Sequence, residues 1–471
     1  MNKDDVNRIV TCDSAYIIAP AGHGKTEMIT RIVEECDRKV LVLTHTNAGV
    51  DAIRKRFKKN NVSPGKYNLS TIAGFCQRWC YSYPCTANFD TSISSIDNPK
   101  EFYAAIYRGM KLIAQQNWVG TVFQLSYQAI IVDEYQDCIL EQHNIFLQLN
   151  KYLPVWVLGD PMQGIFDWAG PLVDWNTIPY KEITIQTYPW RWKNSNPDLG
   201  NYLTEIRRQL LPILDGKSVS INLVNNDGFL KIINPQTFNG YHLLKEWKRF
   251  KSVVFITKFE RSQLQFCQNM GGIFQEDEKQ DCTELYYWAK KIDETEGIER
   301  AKIVISFASL CASHVKSELS SYINRLESGS SEFSRIKKHT EIGEALKAII
   351  NHSNLSDLAH CLNVIGMCED FNFYRTELFE EMKRSIIYAQ DNNISIFDSS
   401  KHIRSDSGLQ KRYNNFKYLS SRTVLSKGLE FECVVIDMTQ SMKARDFYVA
   451  MTRATKMIYI LTDKSILRFV K

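Results

Sequence analysis

The feature that most constrains this chain lies near its start. The apolar run Ala15-Tyr16-Ile17-Ile18-Ala19 leads directly into Pro20-Ala21-Gly22-His23-Gly24-Lys25-Thr26, and the residues from Lys25 to about Asp37 read as a helix. A strand buried on both faces reads as a continuous apolar run, which places this one in a parallel sheet covered by helices. Gly22 and Gly24 let backbone N–H groups curl around phosphate oxygens, and the helix N-terminus adds a favourable dipole. Lys25 then reaches the outer phosphates, and Thr26 offers a hydroxyl to Mg²⁺. Ala19 stands where the first glycine of the full phosphate-loop pattern usually stands. A purely structural glycine turn leaves Lys25-Thr26 unexplained, so nucleotide contacts are expected from Ala21 through Thr26.

A second run supplies the partner that such a loop needs. Ile130-Ile131-Val132 ends in Asp133-Glu134. Asp133 at the strand's end can hold Mg²⁺, and Glu134 can polarise an attacking water. Surface acidic pairs do not usually terminate a fully apolar strand. The expected activity is hydrolysis of ATP or GTP, with Mg²⁺ as cofactor.

Further apolar runs, Val40 to Thr44 and Val155 to Gly159, fit the same sheet. A second α/β group appears near Gly228 to Ile233, Ser252 to Thr257, Glu432 to Asp437 and Met457 to Leu461. Two segments break the rhythm. Residues 76–123 are aromatic and proline-containing, with a helix around Phe102 to Ala114, and residues 274–410 are largely helical and polar. A length of 471 residues suits roughly three or four domains. The expected fold is α/β: two parallel-sheet domains, each interrupted by a mostly helical insertion.

Composition narrows the setting. Hydrophobic residues at 44% and charged residues at 24% exclude a disordered chain. No apolar run approaches the roughly 18–20 residues of a membrane span, and Met-Asn-Lys-Asp-Asp lacks a secretory pattern. A soluble cytoplasmic protein with no membrane partner is expected. The twelve cysteines contain no Cys-x-x-Cys, and Cys76, Cys80 and Cys85 have no nearby histidine, so they read as reduced thiols. A net charge of +5 says little about partners. The run from Arg54 to Lys59 by itself reads as a solvated helix terminus.

Motif order says more. Asp133-Glu134-Tyr135-Gln136-Asp137 resembles the second motif of superfamily 1 helicases of the UvrD/Rep group. The segment Gly159-Asp160-Pro161-Met162-Gln163-Gly164-Ile165-Phe166-Asp167-Trp168 resembles that group's third motif. Leu43-Thr44-His45-Thr46-Asn47 is similar to motif Ia, and Tyr188-Pro189-Trp190-Arg191 sits where motif IV belongs. Ser426-Lys427-Gly428-Leu429-Glu430-Phe431 is similar to the end of motif V, and Tyr448 to Ala454 to motif VI. The motifs run in family order from residue 19 to residue 454.

The resemblance implies two RecA-like motor domains with ATP between them. Motor domain 1A would comprise residues 1–75 and 124–186, with 76–123 as a short insertion 1B. Domain 2A would comprise 187–273 and 411–471, with 274–410 as insertion 2B. It assigns catalytic roles to Lys25, Asp133, Glu134, Gln163, Arg191 and Arg453. Gln163 would sense the γ-phosphate, and the two arginines would neutralise the transferring group. Trp190 would stack on adenine, while Gly428 and Glu430 would meet the sugar side. On the nucleic-acid side, Phe166 and Trp168 would stack on bases, and His45, Thr46, Asn47 and Thr71 would line the track. Single-stranded DNA, or a junction of single and double strands, is the implied substrate, with 3′ to 5′ polarity.

Several positions depart from the family pattern. The upstream adenine-reading glutamine is absent, with Asn7 the nearest amide. His45 replaces an aromatic, and Ile72-Ala73 replaces the aromatic–His pair after Thr71. Arg422-Thr423-Val424-Leu425 replaces the usual start of motif V. Both insertions are short. In that shortness the chain resembles the small UvrD-like subunit of Gabija-type anti-phage systems, which works with an OLD-type nuclease. A nuclease partner is therefore expected, with the helical segment Phe274 to Gln410, and its acidic patch at Glu276 to Glu278, as the docking surface. The alternative is an ATP-gated DNA sensor that signals to a partner without processive unwinding.

Overall fold

The computed structural model describes residues 3–93, 98–166, 170–278, 283–352, 354–407 and 416–470. The chain forms two compact units, residues 1–235 with 426–471, and residues 236–425.

The first unit is built on a six-stranded parallel sheet. Its strands are β1 (Ala15–Ile18), β2 (Val40–Thr44), β3 (Tyr67–Thr71), β4 (Ile130–Val132), β5 (Val155–Gly159) and β6 (Lys181–Glu182), in the order β3-β2-β4-β5-β1-β6. The continuous apolar runs are explained by what covers each face. Ile130, Val132, Val155 and Val157 enter one core with Phe75, Ile106, Met110, Phe123 and Phe146. Ile131, Trp156 and Leu158 enter the opposite core with Ile29, Ile32, Val33 and Phe57. Alternate residues of one strand therefore both need apolar side chains. The helices Ile72–Ser82, Pro99–Ala114 and Asn117–Ser126, from the segment read as an insertion, supply much of the first of these faces. The acid-bearing strand β4 is separated from β1 by β5, as in RecA-like sheets. Ala19, Asp133 and Asp160 leave the sheet at the same carboxyl edge, where α/β proteins bind ligands.

Two further strands of this unit follow, β7 (Val219–Asn222) and β8 (Leu230–Ile233). The second unit carries β9 (Val253–Thr257), β10 (Gln275–Glu276), β11 (Ala312–Ser313), β12 (Asn372–Phe373) and β13 (Tyr418–Arg422). Within it β10, β13 and β9 form a parallel ladder, and the short β11 and β12 pair antiparallel. Its helices between Thr283 and Ser407 bury a continuous apolar core that includes Phe307, Tyr322, Leu346, Leu362 and Met382. The chain then returns to the first unit with β14 (Phe431–Asp437), β15 (Ala454–Leu461) and β16 (Ile466–Phe469). There β14, β15 and β8 run parallel, and β16 pairs antiparallel with β7. The α/β class with parallel sheets and a helical second segment is what the sequence led one to expect.

The acidic patch expected on the docking segment is not an exposed one. Glu276 is 5% exposed and Glu278 9% exposed. Glu276 pairs with the buried Arg375 at 2.5 Å, and Glu278 accepts the backbone N–H groups of Glu377 and Leu378 at 2.9 Å each. Glu278 thus finishes the helix Thr376–Asn392 from within, where its first N–H groups lack partners. Burial, reinforced by Glu276, pushes Glu278 up to about 8 from its usual 4.5, although Arg375 opposes this. A carboxyl whose folded value is raised binds more protons folded than unfolded, so stability falls as pH climbs from 4.5 to about 8. Glu278→Gln keeps an acceptor for the helix and removes the charge. Its melting temperature should match wild type near pH 5 and exceed it increasingly toward pH 9. A difference that does not change with pH would show that the carboxyl is not destabilising.

Candidate nucleotide site

The phosphate loop adopts the geometry its glycines permit. Gly22 and Gly24 have φ of 72° and 86°, and Gly24 caps the helix Lys25–Glu35. Space matters as much as conformation. A Cβ at Gly22 would lie 2.6 Å from the Trp192 ring, and one at Gly24 would lie 3.2 Å from Trp190. The turn Trp190–Trp192 thus presses on the loop, and Arg191 N–H donates to the Gly22 carbonyl at 3.0 Å. Ala21 and His23 are buried, and the His23 ring contacts the Ala21 carbonyl at 2.8 Å. Burial pushes His23 down, against the Ala21 carbonyl and Asp160.

Lys25 reaches both strand-end carboxylates, with Nζ 2.6 Å from Glu134 Oε1 and 3.6 Å from Asp133 Oδ1. Burial works against its charge, but Glu134 and Asp133 outweigh burial and raise it above the usual lysine range. Burial raises Asp133, whereas Lys25 and Lys427 overcome burial and hold Glu134 well below the carboxylate range. Glu134 sits at φ 56°, a left-handed conformation that costs a non-glycine residue about 1 kcal/mol or more. Gln136 steadies it, donating to Glu134 Oε2 and accepting the Asp160 N–H through Oε1. Asp133 Oδ1 is buried and accepts no hydrogen bond. A buried carboxylate oxygen whose nearest partner is the Lys25 ammonium, at 3.6 Å, keeps lone pairs that suit a hard divalent cation, and Thr26, half-buried, directly follows that lysine.

Two guanidinium groups complete the site. Arg191 Nη1 donates to the Thr452 carbonyl at 2.5 Å, and Nε lies 2.9 Å from the exposed Glu430. Arg453 is 2% exposed and bonds only neutral groups: the carbonyls of Val449 (3.0 Å) and Leu429 (3.3 Å), Thr452 Oγ1 (3.0 Å) and Gln163 Oε1 (3.5 Å). Among the described residues no carboxylate pairs with it. Burial, with Arg191 nearby, pushes Arg453 down to about 9. Glu134 and Glu430 oppose this shift without pairing directly, and a buried cation so weakly compensated is costly unless a further anion arrives. Trp190 remains 52% exposed, packed edge-on against Tyr188 with ring centroids 5.1 Å apart. Gly428 is exposed at φ 85°, between Lys427 and Leu429, which both bond into the site.

The residues expected on the nucleic-acid side have local structural partners. Thr46 and Thr71 each cap a helix, accepting from Gly49 N–H and Gly74 N–H. Thr44 and Thr71 are register partners, so both helices start side by side at the sheet's carboxyl edge. Asn47 is exposed in the first of these turns. His45 is half-buried with Nε2 3.4 Å from Cys138 Sγ, and burial together with Lys427 pushes it down to about 3. Phe166 lies beneath the Lys427 ammonium, 5.0 Å from its ring centre. Trp168 lies outside the described residues. The basic run is partly neutralised, since Arg54 pairs with Asp51 and Arg56 with Glu27.

Sequence reasoning passed over four groups here. Lys427 donates to Asp137 Oδ2 and to the Gln163 carbonyl (2.7 Å), and Asp160 pairs with Arg207 (2.8 Å). Asp137, Asp160 and Lys427 lie inside quoted motifs, but Arg207 carries no local signal. A separate group in the second unit, His339, Cys368 and Asp370, has metal-ligand chemistry. Lys338 there bonds Glu318 and lies 3.9 Å from Asp370, so an ammonium already answers those carboxylates.

Comparison with known proteins covers the stretch that holds the loop and its strand. Residues 2–168 match the family model of an AAA domain. An AAA domain implies nucleotide binding and an NTPase site. Gabija protein GajB of Bacillus cereus (strain VD045) is a distant relative, 26% identical over a match that takes in 36% of this chain and 39% of GajB. The chain therefore matches about two fifths of that relative's length. Among solved structures, Arterivirus nonstructural protein 10 (helicase) in complex with DNA aligns over 98% of this chain and 63% of its own, with 8% identity and a TM-score of 0.36. The same helicase alone aligns over 98% and 62%, with 9% identity and a TM-score of 0.35. No helix among the described residues is long and apolar enough to cross a membrane.

Proposed function

We propose that this chain is an ATP-driven translocase on single-stranded DNA, a helicase of UvrD type moving 3′ to 5′, that acts with a nuclease partner in phage defence or DNA processing. The observation that carries the ATPase reading is the buried Arg453, which lies beside Gln163, forms no ion pair with a carboxylate among the described residues and belongs to the unit that also holds the Lys25 loop. In this reading Gly22 to Thr26 cradle the phosphates, and Thr26 and Asp133 hold Mg²⁺, which would offset phosphate charge when bound. Glu134, kept ionised by Lys25 and Lys427, orients the water. Gln163 faces the γ-phosphate, and Arg191 and Arg453 neutralise the charge that grows in the transition state. Trp190 gives adenine a platform, and Glu430 together with Gly428 borders the sugar. The division into 1A, 1B, 2A and 2B at the boundaries given above belongs to the same proposal.

The nuclease and defence parts rest on the partial likeness to GajB and on the short insertions. A second reading, an ATP-gated sensor of DNA ends or single strands, draws on His45, whose ring is committed to Cys138 rather than free to stack. Turnover measured with and without single-stranded DNA tests the ATPase reading, and DNA stimulation of several-fold is expected. Directional displacement of a blocked strand then separates motor from sensor. Turnover indifferent to DNA would remove the nucleic-acid part of the proposal.

A further inference from the structure

A buried charge pair lies behind the phosphate loop, and the nucleotide reading gives it no task. Asp160, which directly follows β5, is fully buried. Arg207, in the helix Pro197–Leu210, closes on it as a fork, with Nη2 2.8 Å and Nε 3.2 Å from Oδ1, and Nε 3.4 Å from Oδ2. The buried Tyr448 side chain lies with this cluster, interacting with Asp160, Arg207 and the backbone of Ala21 in the phosphate loop. Asp160 Oδ1 also takes the Met162 N–H at 3.2 Å, and Oδ2 takes Gln163 Nε2 at 3.2 Å.

That last bond decides which way Gln163 points. A side-chain amide can be turned end for end, presenting either its carbonyl or its NH₂ to a given neighbour. An ionised carboxylate only accepts, so the NH₂ must face Asp160. The carbonyl oxygen is then left toward Arg453, where Oε1 lies 3.5 Å from Nη2. Without a counter-ion, a buried carboxylate takes up a proton or draws in other donors, and the amide loses its fixed sense.

We propose that Arg207 is a positioning residue for ATP hydrolysis: by pairing with Asp160 it fixes the Gln163 amide with its oxygen toward Arg453. This rests on the ATPase reading of the site. Arg207 touches no nucleotide in this account and acts only through Asp160 and Gln163.

The test is a double-mutant cycle on the full chain. Arg207→Met should lower kcat by about 10- to 100-fold, the range expected when a supporting contact lets a catalytic group drift. KM for ATP should stay within about 3-fold, because a contact used only in the transition state moves kcat rather than uniform binding. In the Gln163→Ala background the same change should cost no more than about 2-fold, since no amide remains to position. Arg207→Lys keeps the charge but loses the fork, and should fall between wild type and Arg207→Met. If the methionine variant does not fold, the lysine variant carried through both backgrounds makes the same comparison. Equal losses with and without Gln163 would reveal a merely structural pair and overturn the inference, as would an unchanged kcat. A wild-type chain that turns over no ATP overturns the ATPase reading itself, and the positioning role falls with it.

Discussion

Lys25→Ala should abolish ATP turnover, with a loss of at least about 10³-fold. Lys25 lies 2.6 Å from Glu134 and 3.6 Å from Asp133, and it is the cation that the phosphate loop presents at the helix start. Its removal takes a positive charge from the path of the outer phosphates. It also leaves two adjacent carboxylates, Asp133 buried and Glu134 half-buried, without their nearest counter-charge, so they compete for one proton. Both effects act on the same step and in the same direction. Because the first variant also strains the folded state, Glu134→Gln is the companion: it removes a negative charge, keeps the side-chain volume, and should bind ATP without hydrolysing it. Steady-state turnover and a nucleotide-binding titration on both variants check this. Near wild-type turnover in either would place the chemistry elsewhere.

How much of this was legible in the sequence follows from how each signal is encoded. Strands β1, β2, β4 and β5 are covered on both faces, so burial forced unbroken apolar runs, and they read directly. Strand β3 (Tyr67-Asn68-Leu69-Ser70-Thr71) and strand β13 (Tyr418-Leu419-Ser420-Ser421-Arg422) gave no such run. The first is an edge strand. The second buries Ser420 and Ser421, which bond the Gln263 carbonyl and Asp277, so polar residues do the work of apolar ones there. The groups proposed for hydrolysis stood out in the sequence because each has its motif around it. Arg207 could not, since its meaning comes from Asp160, 47 positions away. The stretch Glu276 to Glu278 misled for the opposite reason. Three acids in a row look like a solvated face, and only the fold shows Arg375 and a helix N-terminus waiting for them.

Arg453 should separate activity from stability most sharply. Arg453→Met is expected to lower kcat by about 10³-fold or more, the scale of a charge supplied to a transferring phosphoryl group. Ground-state nucleotide affinity should change far less, because the charge it answers grows only in the transition state. The melting temperature without nucleotide should hold or rise. Arg453 is buried, forms no ion pair with a described carboxylate and is pushed down to about 9 by burial and Arg191 although Glu134 and Glu430 oppose this, so the folded chain bears a poorly compensated cation at neutral pH. Methionine keeps most of the aliphatic volume and drops that charge, at the expense of hydrogen bonds to the Val449 and Leu429 carbonyls. ATP should therefore stabilise the wild type more than the variant, since only the wild type gains a partner for its buried cation on binding. Thermal melts with and without ATP, beside steady-state kinetics, measure each of these quantities. A variant that melts several degrees lower while keeping its turnover would make Arg453 a structural residue and leave the site without its strongest phosphate signal.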